Sequence, residues 1–430
     1  MKKYTLTTIA AAALLLTGCG KSVGADEEAT TTTTTTTTMA QTTAATTVTT
    51  TVTTTKISTD IPEGVILDSA AEVEVYSKTT IAELITDNNV ELTAPADLID
   101  TDELGEKKVK VTFKYEGNEY EKEIAYNVVD TTPPLILNAG WEPYAKVGEP
   151  FNIDKIIGYV DNYDRAPTVT YSGDVDTSAV GRAPISVTVT DSSGNSTDFS
   201  LTVLVLNEIP RPEDNNARVA YSDFIDTYSY LGDVSFGIDV SAWQTNVDYD
   251  AVKNEGCEFV LMRMGYYYSG EPEMDDYYKQ NMANASAAGL DIGVYFYTAD
   301  NTEEGAREHA RWVIDQLDGR ELDYPIAFDW EEWATFQEYG MNIRDLNNVF
   351  EAFADECEKH GYSAMLYSSK NFLNNFWTND GNHPVWLAHY VDETDYEGRF
   401  AIWQASAYGR IDGIAGDVDM NIRFNSVPLE

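Results

Sequence analysis

The sequence predicts a multidomain chain in which a C-terminal α/β barrel follows two small all-β sandwiches. From Ser235 onward, short apolar strands alternate with longer helical stretches. The strands are FGIDVS, FVLMRMG, IGVYFY, IAFDWE, AMLYSS, VWLAHY and FAIWQAS, with a final segment at 417–422. Helical patterns fill 281–288, 303–317 and 342–360. Repeated strand–helix units over about 195 residues suggest a parallel sheet closed as a barrel. The later strands lie closer together and leave little room for helices. Upstream, Asp100-Thr101-x-x-x-Gly105 followed by VKVTFKY is echoed by Asp176-Thr177-x-x-x-Gly181 followed by ISVTVTD. A length of 430 residues also exceeds one ordinary domain; about three is the expectation.

Taken in order, residues 1–19 combine Lys2 and Lys3 with an apolar run, Ile9–Leu16. The run is too short to span a bilayer permanently and reads as an export signal. Its end, Leu16-Thr17-Gly18-Cys19, resembles the lipobox of bacterial lipoproteins. That resemblance implies cleavage before Cys19, a lipid on its thiol, and a place on the extracellular face of the bacterial cell membrane. Residues 20–60 are dominated by Thr, lack apolar periodicity and are expected to be a disordered linker.

Residues 61–130 and 131–207 form the repeat. Each copy has a turn after its matching strand, Glu116-Gly117-Asn118 and Ser193-Gly194-Asn195, and then another β-rich run. Alternating Val, Ile, Thr and aromatic residues at this spacing argue for two β-sandwiches. The second copy, from VDTTPP to DSSGNSTDFSLTV, resembles bacterial immunoglobulin-like modules of cell-surface proteins, and the first is similar but more diverged. Such modules are usually spacers. Residues 208–234 hold Pro210 and Pro212 and are a linker with a short helix, and 235–430 are the barrel.

The net charge is −44, with 39 acidic against 12 basic residues over 219–430. This argues against nucleic acid and against anionic membrane surfaces as electrostatic partners. Three cysteines occur, Cys19, Cys257 and Cys357, with no CxxC pair, and the four His (309, 360, 383, 389) have no metal-ligand spacing. No disulfide framework, metal or cofactor is therefore expected. Cys257 and Cys357 read as small buried thiols.

The chemistry belongs at Ile326–Glu332, IAFDWEE. Side chains on a strand alternate faces, so Asp329 and Glu331 point the same way. Two carboxyls on one face raise the proton affinity of one, and glycosidic cleavage needs such a pair. Asp-x-Glu alone is common at solvated strand ends. The ends of the other strands add Asp239, Tyr295, Tyr297, Tyr367, Trp386, Trp403, Gln404 and Asp419. In a barrel these ends share one rim, where active sites sit. Aromatic faces stack on sugar rings and carboxylates bond hydroxyls and amides, so the rim suits a carbohydrate. Trp386, Trp403 and Tyr390 lie in apolar strands where core packing is an equal reading. Arg263 reads as a structural ion-pair residue, and Tyr266–Tyr268 as an exposed sugar-binding edge.

From Phe236 to Phe424 the chain resembles the glycoside hydrolase family 25 muramidases. The matching pieces are Gly237-Ile-Asp239-Val-Ser241-x-x-Gln244, Arg263-Met-Gly265, Gly293-Val-Tyr295-Phe-Tyr297 and Asp329-Trp-Glu331. Next come Leu366-Tyr367-Ser368, Trp386-Leu-Ala-His-Tyr390, Trp403-Gln404-Ala-Ser406 and Val418-Asp419-Met-Asn421. The resemblance implies a (β/α)5(β)3 variant of the TIM-like barrel that cleaves the glycan of peptidoglycan. It implies Glu331 as general acid/base, Asp329 as its charge-stabilising partner, Asp239 and Asp419 as flanking acids, and the substrate's own acetamide as nucleophile. The partners expected are peptidoglycan strands and, through a lipid anchor, the membrane, with the protein a monomer. Phe296 departs from the family pattern, in which a polar residue or His is often found. A catalytically silent wall-binding lectin, or an adhesin led by the immunoglobulin-like modules, is the alternative. Retention of all four acids favours the enzyme.

Overall fold

The computed structural model describes residues 57–137, 142–211, 214, 216–378 and 381–429, with the backbone of two further strands, Thr33–Thr37 and Val48–Val52. These two pair antiparallel, Thr33 opposite Val52. Both lie in the Thr-rich stretch, residues 20–60, read from the sequence as a linker. The export signal and Cys19 lie outside the described residues.

The chain divides into two units. The first takes in most residues up to Asn127. Its four-stranded sheet runs Glu72–Glu74, Asn118–Val129, Gly105–Tyr115, Glu91–Leu92, and a separate pair joins Leu67–Ser69 to Ile85–Asn88. The two long strands meet at a tight turn where Glu116 and Gly117 both have positive φ, 48° and 82°, as a two-residue hairpin requires. Leu84, Val111 and Phe113 are fully buried.

The second unit opens with the other β-rich copy. Its four-stranded sheet has the order Tyr144–Lys146, Ser196–Leu206, Gly181–Thr190, Thr168–Ser172, and Leu135–Ile136 pairs with Tyr159–Val160. Val187, Val189, Val203 and Val205 alternate inward and bury a core with Ile153, Ile157 and Ile185. Polar bonds tie the copy to the C-terminal part of the same unit. Arg165 grips Asp345 by two N–H donors at 2.6 and 2.8 Å, and the Ile343 amide donates to the Asp161 carbonyl at 2.9 Å.

The remainder of this unit is the barrel. Its strands are β1 (Val234–Val240), β2 (Phe259–Tyr267), β3 (Asp291–Thr298), β4 (Ile326–Asp329), β5 (Ala364–Ser369), β6 (Val385–Ala388), β7 (Ile402–Arg410) and β8 (Val418–Phe424). Its helices are α1 (Tyr221–Tyr228), before β1, then α2 (Tyr249–Asn254), α3 (Tyr278–Ala288), α4 (Glu303–Leu317), α5 (Ile343–Lys359) and α6 (Lys370–Asn375), one after each of β1 to β5. β1 to β7 pair in parallel in sequence order. β8 closes the ring antiparallel to both β7 and β1. An all-parallel sheet was the sequence expectation. The residues between Arg410 and Val418 are too few for the crossover that a parallel strand needs, so the chain turns back instead.

Two apolar surfaces result. Outward residues such as Ile238, Val294, Phe328 and Ile422 pack under the helices. Inward residues, among them Phe259, Leu261, Tyr324, Ala327, Met365, Tyr367 and Trp386, fill the barrel. Space inside is tight. A Cβ on Gly237 would lie 2.5 Å from the ring of Phe259, which is itself fully buried. Gly237→Ala is expected to cost about 1–3 kcal/mol through overpacking. Urea unfolding of the full chain measures it; an unchanged midpoint would show that the Phe259 ring can yield.

Candidate active site

Strand alternation places the acids. On β1, Gly237 and Asp239 face inward while Ile238 and Val240 face the helices. On β8, Asp419 lies directly opposite Asp239 in the antiparallel ladder. Asp329 ends β4, flanked in register by Tyr297 of β3 and Tyr367 of β5. The chain then leaves the sheet, yet the alternation persists for two residues. Trp330 turns outward, is fully buried, and donates from Nε1 to the Asp300 carbonyl at 3.0 Å. Trp333, Phe336 and Tyr339 surround its ring. With Trp330 anchored, Glu331 returns to the barrel mouth, where it is exposed.

Asp239 is held by amides. Gln404 Nε2 and Asn421 Nδ2 both donate to its Oδ2, each at 2.8 Å. Gln404 Oε1 in turn accepts from the hydroxyls of Tyr367 at 2.9 Å and Tyr390 at 2.8 Å. Asn421 Oδ1 accepts from Trp386 Nε1 at 2.8 Å. These bonds fix which end of each amide is the donor. Trp386 is 1% exposed and packs against the rings of Tyr295 and Tyr367. It forms the floor beneath the acids.

No cation enters this network directly. Burial pushes the Asp239 carboxyl up to about 6, against the pull of its two amide donors. Burial, then Asp239 and Glu331, push Asp419 up to about 8. Asp329 is held well above the usual carboxylate range by burial, then by the charges of Glu331 and Asp239, and Arg263 only partly opposes this. Glu331 is raised by loss of water around its carboxyl, then by Glu332 and Asp239. Arg263 is committed elsewhere, bonding Asp275 through Nε at 2.9 Å and Nη2 at 2.8 Å. One detail stands apart: Asp329 Oδ1 is buried and has no hydrogen-bond partner in the protein.

The structure thus brings Asp239, Asp329, Glu331, Asp419, Tyr295, Tyr367, Trp386 and Gln404 to one end of the barrel. Tyr297 shares the inward face but donates to Glu332 Oε1 at 2.8 Å. Trp403 requires correction as a sugar contact. It faces outward, 2% exposed, with its ring edge-on to Tyr228 of α1 and its Nε1 donating to the His389 carbonyl. It sits one residue from inward Gln404, so the alternation that presents Gln404 excludes it. Of the three tyrosines expected to form an exposed edge, Tyr266 and Tyr267 end β2 and Tyr268 follows it; Tyr268 is 56% exposed, whereas Tyr267 packs on His309. Phe296 also faces outward, between His309 and Trp312, so its departure from the family pattern does not reach the acids.

Sequence reasoning missed several participants. Asn421 follows Asp419 by two residues, and the same period-2 rule places it inward. Trp243, 84% exposed, lines a groove of ≈ 440 Å³ with Tyr266, Tyr268, Arg263, Asp275 and Asp276. It follows β1 on a 3-10 turn, Ala242–Gln244, with no periodicity to reveal it. Cys257 and Cys357 are free and buried. Among the described residues, none of the four rim acids belongs to a cluster suited to a metal.

Residues 238–414 match the family model of the Glycosyl hydrolases family 25. The autolytic lysozyme of Clostridium acetobutylicum is 29% identical over 187 residues, 43% of this chain and 54% of that protein. Lysozyme M1 of Streptomyces globisporus is 28% identical over 202 residues, 44% of this chain and 67% of that protein. A crystal structure of the bacterial lysozyme from Streptomyces coelicolor aligns with 45% of this chain and 92% of that one, at 24% identity and a TM-score of 0.37. The chain thus spans about half the length of the Clostridium relative. Over residues 238–414 the C-terminal barrel is thus similar to the glycosyl hydrolases of family 25, lysozymes among them.

Proposed function

We propose that the barrel is an N-acetylmuramidase that hydrolyses the β-1,4 bond between N-acetylmuramic acid and N-acetylglucosamine in peptidoglycan. The observation that carries this reading is the unpartnered, buried Asp329 Oδ1 beside the exposed Glu331. Glu331 has the raised proton affinity of a general acid and reaches solvent where a glycan could lie. It protonates the glycosidic oxygen as that bond breaks. Asp329 accepts the N–H of the substrate's 2-acetamido group, whose carbonyl oxygen attacks the anomeric carbon. Water then opens the cyclic intermediate, with Glu331 as base, and configuration is retained. Asp239 and Asp419 flank the site, while Tyr295, Tyr297, Tyr367, Trp386 and Gln404 shape and support it.

The remaining layout accords with the same reading. Residues 1–19 are a lipoprotein signal that anchors the mature chain through Cys19, and 20–60 form a stalk. Residues 61–130 and 131–207 are immunoglobulin-like spacers, and 208–234 link them to the catalytic barrel. The protein acts as a monomer at the outer face of the membrane, reaching into the wall. The long acidic chain and the two spacers suit reach, and the acids at the rim suit turnover.

Purified chain incubated with peptidoglycan, followed by mass analysis, should release fragments with N-acetylmuramic acid at the reducing end. Glu331→Gln keeps the volume and cannot donate a proton, so turnover should fall about 10²–10⁴-fold while glycan binding persists. Near-normal hydrolysis by this variant would remove Glu331 from the role.

Asp329→Asn should cripple turnover as well, and no glycosyl adduct should be trappable on Asp329 of the parent enzyme. Mass detection of such an adduct would replace the acetamide mechanism with a covalent one.

The raised carboxyls also predict a pH signature. An Asp has an unfolded pKa of about 4. A carboxyl raised in the fold adds stability that is fully present below that value and is lost as pH climbs through the folded pKa. For Asp239 the loss runs from about 4 and is complete past about 6, and for Asp419 it runs from about 4 and is complete past about 8. Asp419→Asn should therefore unfold at a higher temperature than the parent at pH 8, with the gap closing towards pH 4. Thermal scans across this range check it, and a gap independent of pH contradicts it.

A further inference from the structure

Three acids, none of them at the barrel mouth, converge at the second β-rich copy, two from within it and one from the residue just before it. Asp130 immediately precedes the copy, Asp161 follows Tyr159–Val160, and Asp191 stands at the turn beyond Gly181–Thr190. All three are buried, and one carboxylate oxygen from each lies within 4.8 Å of the others. Every hydrogen bond that they accept comes from a neutral donor. Asp130 accepts from the Thr132 amide, Asn162 Nδ2 and Ser193 Oγ. Asp161 Oδ1 accepts from the amides of Tyr163 and Asp164, and Asp191 from the amide and Nδ2 of Asn195. Among the described residues, no Lys, Arg or His pairs with any of them.

A second observation points to a ligand. Asp161 is only 1% exposed, and its Oδ2 has no hydrogen-bond partner. The side-chain oxygen of the adjacent Asn162 is likewise buried and unpartnered. Buried carboxylates are paired or coordinate metals, because an uncompensated charge in a dry site is costly.

We propose that Asp130, Asp161 and Asp191 form a binding site for a calcium ion. The donor set is all oxygen, which selects a hard cation over zinc or copper. Calcium bonds of about 2.3–2.6 Å allow ligand oxygens on opposite sides of the ion up to about twice that distance apart, and the three oxygens lie within that limit. Magnesium demands a near-ideal octahedron and dehydrates reluctantly, so a site of three carboxylates held in loops suits calcium's more flexible shell better. Without a cation, burial pushes the Asp161 carboxyl up to about 6, the other way such a cluster can relieve its charge.

The site has a structural consequence for the barrel. The loop that contributes Asp161 also docks the start of α5. The Asp161 carbonyl accepts from the Ile343 amide, the Tyr163 carbonyl from Asn342 Nδ2, and Arg165 holds Asp345. Asn342 and Asp345 are the two halves of the α5 capping box. A cation that orders 161–165 therefore fastens this β-rich copy to the catalytic barrel. The first copy lacks the arrangement, since at the repeat offset Tyr115 stands where the second has Asp191.

The full chain, stripped with a chelator and dialysed, should take up one calcium by calorimetric titration, and its unfolding temperature should rise by several degrees, with a smaller response to magnesium. Terbium should bind the same site and be displaced by calcium. Asp161→Asn keeps the oxygen that caps Tyr163 and Asp164 but removes the charge. This variant should fold, retain turnover on peptidoglycan fragments, and lose the calcium response. Two results overturn the proposal: no heat and no thermal shift in the parent at about 5 mM calcium, above the 10⁻⁴–10⁻³ M range of extracellular calcium modules, or an undiminished response in Asp161→Asn. Both readouts are independent of whether the barrel is a muramidase.

Discussion

The barrel mouth is organised by the choice of neutral amides to hold Asp239. Gln404 and Asn421 fix that carboxylate in place without neutralising it. An arginine in either position would bind it more strongly and lower the proton affinity of every acid around it. With amides, Asp239 keeps its charge and passes it on, adding to the raised proton affinities of Asp329, Glu331 and Asp419. Arg263, the cation that does act on Asp329, is diverted to Asp275. The chemistry of the site thus depends on positioning carboxylates with donors that carry no net charge.

This arrangement demands a stiff scaffold, because crowded carboxyls repel. The amides are themselves held from the other side, Gln404 by two tyrosine hydroxyls and Asn421 by Trp386. Trp386, Tyr367 and Tyr295 belong to the apolar filling of the barrel, so the site rests on close-packed rings. Glu331 is supported differently. It lies past the end of β4, and the burial of Trp330 among aromatic rings fixes the turn that presents it. The fold therefore supplies rigid acids on strands and one solvent-reaching acid on an anchored turn.

Much of this was legible in the chain because strand periodicity is local. The period of two that aligned Asp329 with Glu331 also puts Asp239 above Gly237 and Asn421 beside Asp419. It equally separates Trp403 from Gln404, and a reading that grouped both by strand end lost that distinction. Closure was less visible. The antiparallel return of β8 depends on a connection length, and the amide ladder on contacts between β1, β7 and β8 that lie more than 160 residues apart. Trp243 gave no signal, since an isolated aromatic on a 3-10 turn has no pattern to betray its exposure.

The acid cluster in the β-rich copy was hidden for a related reason. Asp130, Asp161 and Asp191 sit in turns, where aspartate is common as a capping residue, and each does cap its own loop. What distinguishes them is convergence. Compared with the rim acids, they show how surroundings divide the uses of crowded carboxylates. At the barrel mouth, Glu331 is exposed as a residue while its carboxyl has lost much of its water, so excess negative charge is relieved by holding protons that can be delivered to a substrate. Inside the β-rich copy the three acids are buried, and one oxygen from each converges within a coordination shell's width. There the same excess charge favours one compact dication over protons, and the energy goes into ordering a loop. The two clusters are chemically alike in composition, and access to water decides that one is suited to turnover and the other to fastening.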